Sequence, residues 1–478
     1  MLLKMQPPSS DPIPLDVVSE ILDHVDYRTL KTCAFLSASI LPLCHDRLFR
    51  KIDLTYITTI RSYLKLYAVL HQRPKISQYV KSLHIHTGNI HGYLGFPCDD
   101  PILFNTFSAA TNLKHLFVNI SALEAYQWHS HATVALLSSL LSLPGVTSVT
   151  FSGWHGGTQI PHIPISLLEV PVSLTSLTLE RLELWGCLHT NEGHLRGKPV
   201  RPSSISIIGC SNFTLKQLFQ LSTDPHSPLD LSSLKKMTVS PESNSHYDDK
   251  ITEDFFRHVF YSLEHLTWKI SYWSGTNCGY LEHVDSRHLI HLREFNIGTS
   301  FAQHPAMTKD LVSALSVFIG HIPETTSFEK FSWYHHVNDR SWDRVDELEN
   351  WALDEWKEMS RIVSLPRMEY VKMNVEINFS YMDRNTVLEF ERKVRDLLSN
   401  EGRLSHQITL NTSTNSRSYS RSLLTISADQ RTENGSMEGQ AQMERESVGE
   451  QTRVKWSVTK RLKRFFLSSS LFRKKGPR

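Results

Sequence analysis

The sequence predicts an α/β protein in three parts. A unit of three short helices occupies residues 11–54, an irregular solenoid of parallel strands with outer helices fills 55–404, and a disordered tail takes 405–478. Three observations predict this. Short amphipathic stretches separated by prolines open the chain, a six-residue apolar pattern then recurs at nearly even spacing, and from about residue 405 that pattern stops and the composition turns polar.

Composition fits a folded chain. Hydrophobic residues make up 40% of the 478 and charged residues 21%, the balance of a globular protein with room for about three domains. No apolar run approaches the roughly 18 residues of a membrane-spanning helix, and the first 16 residues, with Pro7-Pro8 and Asp11, do not read as a signal peptide. The six cysteines are scattered with no C-x-x-C pair, which argues against a disulfide scaffold and structural zinc and for a reducing, cytoplasmic or nuclear setting. Ten of the 51 Lys/Arg lie in 453–478, where there is no acid. That leaves 41 bases against 49 acids, a net of −8, over 1–452. The body is therefore no general polyanion binder, and specific nucleic-acid binding is not expected.

In the first part, Val17, Val18, Ile21, Leu22 and Val25 have helical 3–4 spacing, with Asp11 as candidate N-cap and Pro12 and Pro14 near the start. A second helix is expected over 28–39, burying Leu30, Cys33, Ala34 and Leu36. Pro42 should interrupt before a third over 44–49. So small a core usually needs a partner or a neighbouring domain.

In the second part the pattern apolar-x-x-apolar-x-apolar appears ten times. Its copies are Val80-Leu83-Ile85, Leu113-Leu116-Val118, Val146-Val149-Phe151, Leu174-Leu177-Leu179 and a weaker Pro202-Ile205-Ile207. They continue with Leu234-Met237-Val239, Leu263-Leu266-Trp268, Leu292-Phe295-Ile297, Phe328-Phe331-Trp333 and Met368-Val371-Met373. First positions are 33, 33, 28, 28, 32, 29, 29, 36 and 40 residues apart. Helical stretches lie between, at 121–143, 215–222, 251–261, 309–320, 345–363 and 385–398. One strand and one helix per unit, neither able to bury its apolar face alone, is a stacking solenoid. In the third part, 411–451 is rich in Ser, Thr, Asn, Gln and Glu and is expected to be disordered.

Ile13-Pro14, the helix over 17–22, Leu30-Lys31-Thr32-Cys33 and Leu48-Phe49-Arg50-Lys51-Ile52 fall in the order of a family pattern: a Leu-Pro opening, an amphipathic helix ending Ile-Leu, a Leu-x-x-Cys helix and a closing Leu-Phe-Arg. Residues 13–54 thus resemble an F-box, in the F-box-like form of large fungal families, with degenerate leucine-rich repeats behind it. Ile13 stands for the usual Leu, and Ile40 for a tryptophan usual between the second and third helices. Only Cys210 fits the buried polar position that leucine-rich repeats carry after the strand; Leu182 and Glu242 occupy others, so the solenoid should be irregular. The resemblance implies a substrate-recruiting subunit, without cofactor or catalysis of its own. Its helices would hold a Skp1-like adaptor joined to a cullin, and its repeats a protein substrate. The alternative is a non-catalytic repeat scaffold on a protein or anionic membrane surface with no ubiquitin role.

For the adaptor contact the sequence nominates Pro14, Leu15, Val18, Ile21 and Leu22, with Leu30, Cys33 and Leu36 in support; the alternative is that they form the helical core. For substrate, strand alternation sends the residue between the last two apolar positions to the open, concave face. That row is His84, Phe117, Thr150, Thr178, Ser206, Thr238, Thr267, Asn296, Ser332 and Lys372, mostly hydroxyl or amide side chains, although β-propensity alone also favours threonine there. The histidine pairs His84/His86, His129/His131 and His335/His336 lack the i, i+4 spacing with an acid of a zinc hydrolase, so no metal is expected. The acids over 342–359 share a helix with the stripe Val345, Leu348, Ala352, Trp356 and Met359 and read as its wet face. No G-x-S-x-G, Walker or G-x-G-x-x-G motif occurs. At the end, Val454, Val458, Leu462 and Phe465 share one helical face ringed by Lys460, Arg461, Lys463 and Arg464. This tail reads as a nuclear import signal, a basic amphipathic helix for anionic lipid or a protein partner, or a plain solvated end.

Overall fold

In the computed structural model the described residues are 13–54, 66, 68–86, 110–121, 131–154, 161–185, 199–224, 227, 229–241, 249–272, 281, 284–301, 306–337, 362, 365, 368, 370–379, 385, 388–389, 392, 408–414 and 422–425. The fold divides into two compact units. The first holds Met1–Val149 and Pro171–Ser173; the second holds Thr150–Val170 and continues from Leu174.

The first unit opens with α1 (Leu15–Asp23), α2 (Tyr27–Cys33) and α3 (Leu41–Phe49). Pro14 is the N-cap of α1, without a side-chain cap, and the expected cap Asp11 lies outside the described residues. Asp26 caps α2 by accepting the Thr29 amide at 2.7 Å. α2 ends six residues before the expected Ser39. α3 begins at Leu41, before the expected Cys44, because Pro42 sits in its first turn, where an amide would have no helical acceptor. Leu22, Leu30 and Cys44 form the buried centre, with Val18, Val25, Cys33, Ala34, Ile40, Leu43 and Leu48 packed on it. After α3 come the parallel strands β1 (Lys51–Asp53), β2 (Ser82–His86) and β3 (His115–Ser121), and then α4 (His131–Leu141). Expected over 121–143, that helix gives its first residue to β3, and 122–130 lie outside the described residues. Gly145 allows a close approach: a Cβ there would lie 2.8 Å from the Leu113 carbonyl oxygen.

The division falls within β4 (Ser148–Trp154). In the second unit the sheet runs in order through β4, β6 (Ser176–Glu180), β8 (Ser204–Cys210), β9 (Lys236–Pro241), β10 (His265–Tyr272), β11 (Glu294–Phe301), β12 (Lys330–Val337), β13 (Lys372–Phe379), β14 (Ile408–Thr414) and β15 (Ser422–Thr425). β5 (His162–Pro164) and β7 (Glu183–Trp185) pair separately. The helices α5 (Asn212–Thr223), α6 (Asp249–Phe260) and α7 (Ala306–His321) begin two or three residues before the expected 215–222, 251–261 and 309–320 and end within one residue of them. The helix expected over 345–363 lies outside the described residues except Ile362, and of 385–398 only four residues are described.

One hydrogen-bond device repeats at the strand starts. The Ser203 carbonyl accepts the amides of Lys235 (3.0 Å) and Lys236 (2.9 Å), Lys235 those of Glu264 and His265 (both 2.9 Å), Glu264 those of Arg293 (2.8 Å) and Glu294 (3.1 Å), and Arg293 those of Glu329 (2.9 Å) and Lys330 (3.0 Å). Each repeat thus fixes the start of the next at the same rung, and this coarse architecture, parallel strands with helices, is as expected. The inward positions Leu177, Ile205, Met237, Leu266, Phe295, Phe331 and Met373, and the next inward row from Leu179 to Val375, are all buried. Each contributes roughly 1.5–3 kcal/mol. Helices close this face: Phe256 of α6 lies 5.3 Å from Trp268, and Phe318 of α7 lies 5.1 Å from Phe295, ring centre to ring centre. Several polar groups that enter the core are bonded. Trp333 Nε1 donates to Thr299 Oγ1 at 3.1 Å, Thr214 Oγ1 to the Leu182 carbonyl at 3.1 Å, and the Cys210 thiol to the Leu179 carbonyl at 3.4 Å.

Two expectations are corrected. The expected disorder from 405 begins too early: β14 pairs in parallel with β13, and β15 returns antiparallel to β14. Ile408 and Leu410 alternate with Thr409 and Asn411, a strand pattern that average composition hides. In the last repeat the frame is two residues off. Phe331 pairs with Met373 and Ser332 with Asn374, so Lys372 stands beside Lys330 and Asn374 continues the row.

Candidate functional site

Two surfaces carry the nominated residues, one in each unit for the most part. On α1, Val18 and Leu22 turn toward the small core, while Val17 and Ile21, one position earlier, are about 100° further round and face away. The exposed apolar side chains at the start of the chain are Ile13 (62%), Leu15 (54%), Val17 (43%) and Ile21 (52%), and in the turn after α2 Phe35 (90%) and Leu36 (71%) are exposed as well. That turn is fixed by the Phe35 amide on the Thr32 carbonyl and the Leu36 amide on the Cys33 carbonyl, both 3.0 Å.

Of the eight nominated residues, Pro14, Leu15, Ile21 and Leu36 are exposed. Leu22 and Leu30 are buried, and Val18 and Cys33 half-buried against them. These four hold the helices together and do not form the outer face. Ile13, Val17 and Phe35 were missed. Val17 was visible in the apolar run, whereas Phe35 was hidden by the expectation that α2 continued past it.

α1 is braced from behind and carries acids, while Arg28 and Lys31 stand on α2. Arg47 of α3, its side chain almost fully buried, donates from Nε to Asp23 Oδ1 and from NH2 to Ser19 Oγ, both at 2.9 Å, and NH2 also bonds the Ser19 carbonyl oxygen. The Arg47 hydrogen bond holds the Asp23 carboxyl below its usual value, and the bonds from Thr29 do the same for Asp26. Asp16 and Glu20 stand exposed on α1.

On the strands, the nominated row divides by unit. In the first, Asp53, His84 and Phe117 are in register. The His84 and Phe117 rings stack at 4.9 Å, and His84 Nδ1 lies 3.8 Å from Asp53 Oδ2. Burial, with Lys51 adding to it, pushes the His84 pKa down despite Asp53. In the second unit, Thr178, Ser206, Thr238, Thr267, Asn296, Ser332 and Asn374 are in register across six strand pairs. Thr150 on β4 is half-buried. Asn296 Nδ2 donates to Thr267 Oγ1 at 3.4 Å. Ser332 is fully buried, and its Oγ has no hydrogen-bond partner.

One rung earlier the face is charged. His265 Nδ1 lies 3.2 Å from Glu294 Oε2, Lys330 Nζ lies 3.6 Å from Glu294 Oε1, and Lys372 follows in register. Glu294, Lys330 and Lys372 line a cavity of about 640 Å³ together with Thr326, Phe328 and the exposed Tyr370. Sequence reasoning did not reach this cavity, because the misplaced last frame put Lys372 on the wrong rung.

Among the described residues no three His, Cys, Asp or Glu come together as a metal-holding group, and no helix is long and apolar enough to cross a membrane. The side chains of His86, His129, His131, His335 and His336, the acids over 342–359, and the tail with Lys460, Arg461, Lys463 and Arg464 lie outside the described residues. Comparison with known proteins finds no matching family model, no matching curated protein and no matching solved structure.

Proposed function

We propose that this chain recruits a protein substrate to a Skp1–cullin–F-box type ubiquitin ligase, gripping a Skp1-like adaptor through α1–α3 and the substrate through the polar strand face. The observation that carries the reading is the outer face of α1 and of the turn after α2. Six large apolar side chains stand in water there, beside a core whose centre is only Leu22, Leu30 and Cys44. Covering a side chain of this kind is worth roughly 1.5–3 kcal/mol. A partner that buries several of them therefore gains enough for a stable complex after the cost of association. The F-box-like order of residues over 13–54 supplies the kind of partner.

The polar row from Thr178 to Asn374, with Lys330, Lys372 and Glu294 one rung away, supports protein capture. Hydroxyl and amide groups donate and accept without desolvating a charge, and the flanking charges select against mismatched partners. The chain's contribution is proximity: it raises the local concentration of a substrate lysine near chemistry performed by other subunits.

The test is a pull-down of tagged full-length chain, comparing wild type with Leu15→Asp and Ile21→Asp. The expected result is stoichiometric Skp1 and cullin with wild type and loss of both in the two variants. Equal capture by all three chains, or no Skp1 with wild type, overturns the assignment.

A further inference from the structure

Among the described residues other than glycine, one has a positive φ, and it is an arginine. Arg181, directly after β6, sits at φ 52°, in the left-handed region that glycine enters freely and most side chains avoid. Neighbouring backbone dictates this turn. The Arg181 amide donates to the Ile208 carbonyl at 2.7 Å, the Glu183 amide to the Pro161 carbonyl at 2.9 Å, and Thr214 Oγ1 to the Leu182 carbonyl at 3.1 Å. Gly153 of β4 packs directly against it, where any Cβ would collide with the Arg181 carbonyl oxygen. Glycine or asparagine would meet these demands with less strain. The turn alone does not call for an arginine.

The side chain is placed and unpaired. Its Cγ lies 3.0 Å, and its Nε 3.9 Å, from the point where a Cβ on Gly209 of β8 would stand, so the stem crosses a residue with no side chain to displace it. Arg181 is exposed, and among the described residues its guanidinium makes no hydrogen bond and no ion pair. Two carboxylates lie within two positions of it in sequence, and both are bonded elsewhere. Glu180 Oε2 accepts the Ser152 hydroxyl at 2.9 Å. Glu183 Oε1 accepts the Ser211 hydroxyl at 2.7 Å, and its Oε2 lies 3.5 Å from His162 Nδ1. A planar fork of donors is thus left open to an acceptor from outside.

We propose that Arg181 is a binding residue for a single carboxylate, the Asp or Glu side chain of a protein partner, held by two parallel guanidinium N–H donors. The chemistry follows from the surroundings. A guanidinium matches a carboxylate bidentately, while Glu180 and Glu183 repel a polyanion and so select one compact negative group. Backbone strain held in place by the surrounding bonds keeps the fork presented before any ligand arrives. Arg181 stands just past the end of the strand that carries Thr178 of the polar row. Only the naming of the partner as a ligase substrate rests on the function proposed above; capture of a carboxylate does not.

The test is a subtractive selection. A random dodecapeptide library on phage is panned on the full-length wild-type chain and depleted on Arg181→Gly, which keeps every other basic group of the protein. Selected sequences are made as fluorescein-labelled peptides and titrated by anisotropy onto wild type, Arg181→Gly and Arg181→Lys. The expected result is a shared Asp or Glu, with binding to Arg181→Gly weaker by about fivefold or more. Arg181→Lys, which keeps the charge and loses the fork, should recover part of it. Changing the shared acid to its amide should cost as much on wild type and nothing further on Arg181→Gly. Urea unfolding gives a second readout. Because glycine suits a positive φ, the midpoint of Arg181→Gly should equal or exceed that of wild type.

No peptide that prefers wild type, or preferring peptides without a common acid, overturns the proposal. So does a lower urea midpoint for Arg181→Gly, which would make the side chain a brace for the turn. Capture of Skp1 is scored separately. Acid-dependent peptides without Skp1 capture leave the carboxylate site standing and remove the ligase reading. Skp1 capture without such peptides does the reverse.

Discussion

Arg47 and Ser19 tie the third helix to the first. The Arg47 guanidinium, almost fully buried, bonds both the Ser19 hydroxyl and the Ser19 carbonyl oxygen while its Nε reaches Asp23. A side chain on α3 thereby fixes the angle at which α1 presents Val17 and Ile21. Arg47→Met keeps much of the apolar stem and removes the donors. We expect it to cost about 1–3 kcal/mol, the usual penalty for stranding a partly buried acceptor. Native-state hydrogen exchange should show the loss in α1 amides well before it appears in strands β8–β13. Equal acceleration of both regions would mean that α1 opens only with the whole fold.

Core and surface positions should separate cleanly on these helices. Leu30→Ala removes a buried side chain from a centre of three residues and is expected to cost about 2–5 kcal/mol. Phe35→Ser, at a position 90% exposed, should change stability by less than about 0.5 kcal/mol. Denaturant midpoints of the two variants measure this directly. If Phe35→Ser destabilises as much as Leu30→Ala, the ring is packed against something and is not free.

Stability should fall below neutral pH, and His258 should contribute. Its Nε2 lies 2.7 Å from Ser222 Oγ, which also accepts the Leu231 amide at 3.2 Å. Burial pushes the His258 pKa below its usual value, although Asp230 opposes this. The unfolded chain takes up a proton near pH 6.5, whereas the folded chain resists until lower pH. The stabilisation is therefore complete above about 6.5 and lost as pH drops below it. His45 and His84 are pushed the same way, again chiefly by burial. The midpoint of urea unfolding should drop between pH 7.5 and 5.5, and His258→Gln should flatten part of that slope. An unchanged slope in the variant would assign the pH dependence to other groups.

The sequence made the repeats legible because each combines a strict two-residue alternation with a turn before it. Strand faces followed from Leu177 to Trp333 without error. The last register did not, because Val371, Met373 and Val375 are all apolar and a slip of two keeps every side chain on its face. β14 escaped for a different reason: Ile408 and Leu410 are two apolar residues in a polar stretch. On the helices, Leu15, Val17, Val18, Ile21 and Leu22 cover more than one face of α1. Spacing alone could not say which of them were core. Phe35 was illegible because no Gly or Pro marks the end of α2.

The row of polar residues on the strands contains one internal contradiction, at Ser332. Its neighbours in register, Asn296 and Asn374, are half-buried, but Ser332 is fully buried and its hydroxyl has no hydrogen-bond partner. A buried hydroxyl without a partner gives up its bonds to water and receives nothing in return, a penalty of about 1–3 kcal/mol. Alanine at this position removes that penalty and leaves a void of only one oxygen atom. Ser332→Ala should therefore be neutral or more stable by about 1 kcal/mol. Asn296→Ala, by contrast, removes a donor to Thr267 and should be slightly destabilising. Paired thermal or denaturant unfolding of the two variants decides it. If Ser332→Ala loses stability by more than about 1 kcal/mol, the hydroxyl is bonded in solution, and the natural candidate for the other end of that bond is an ordered water.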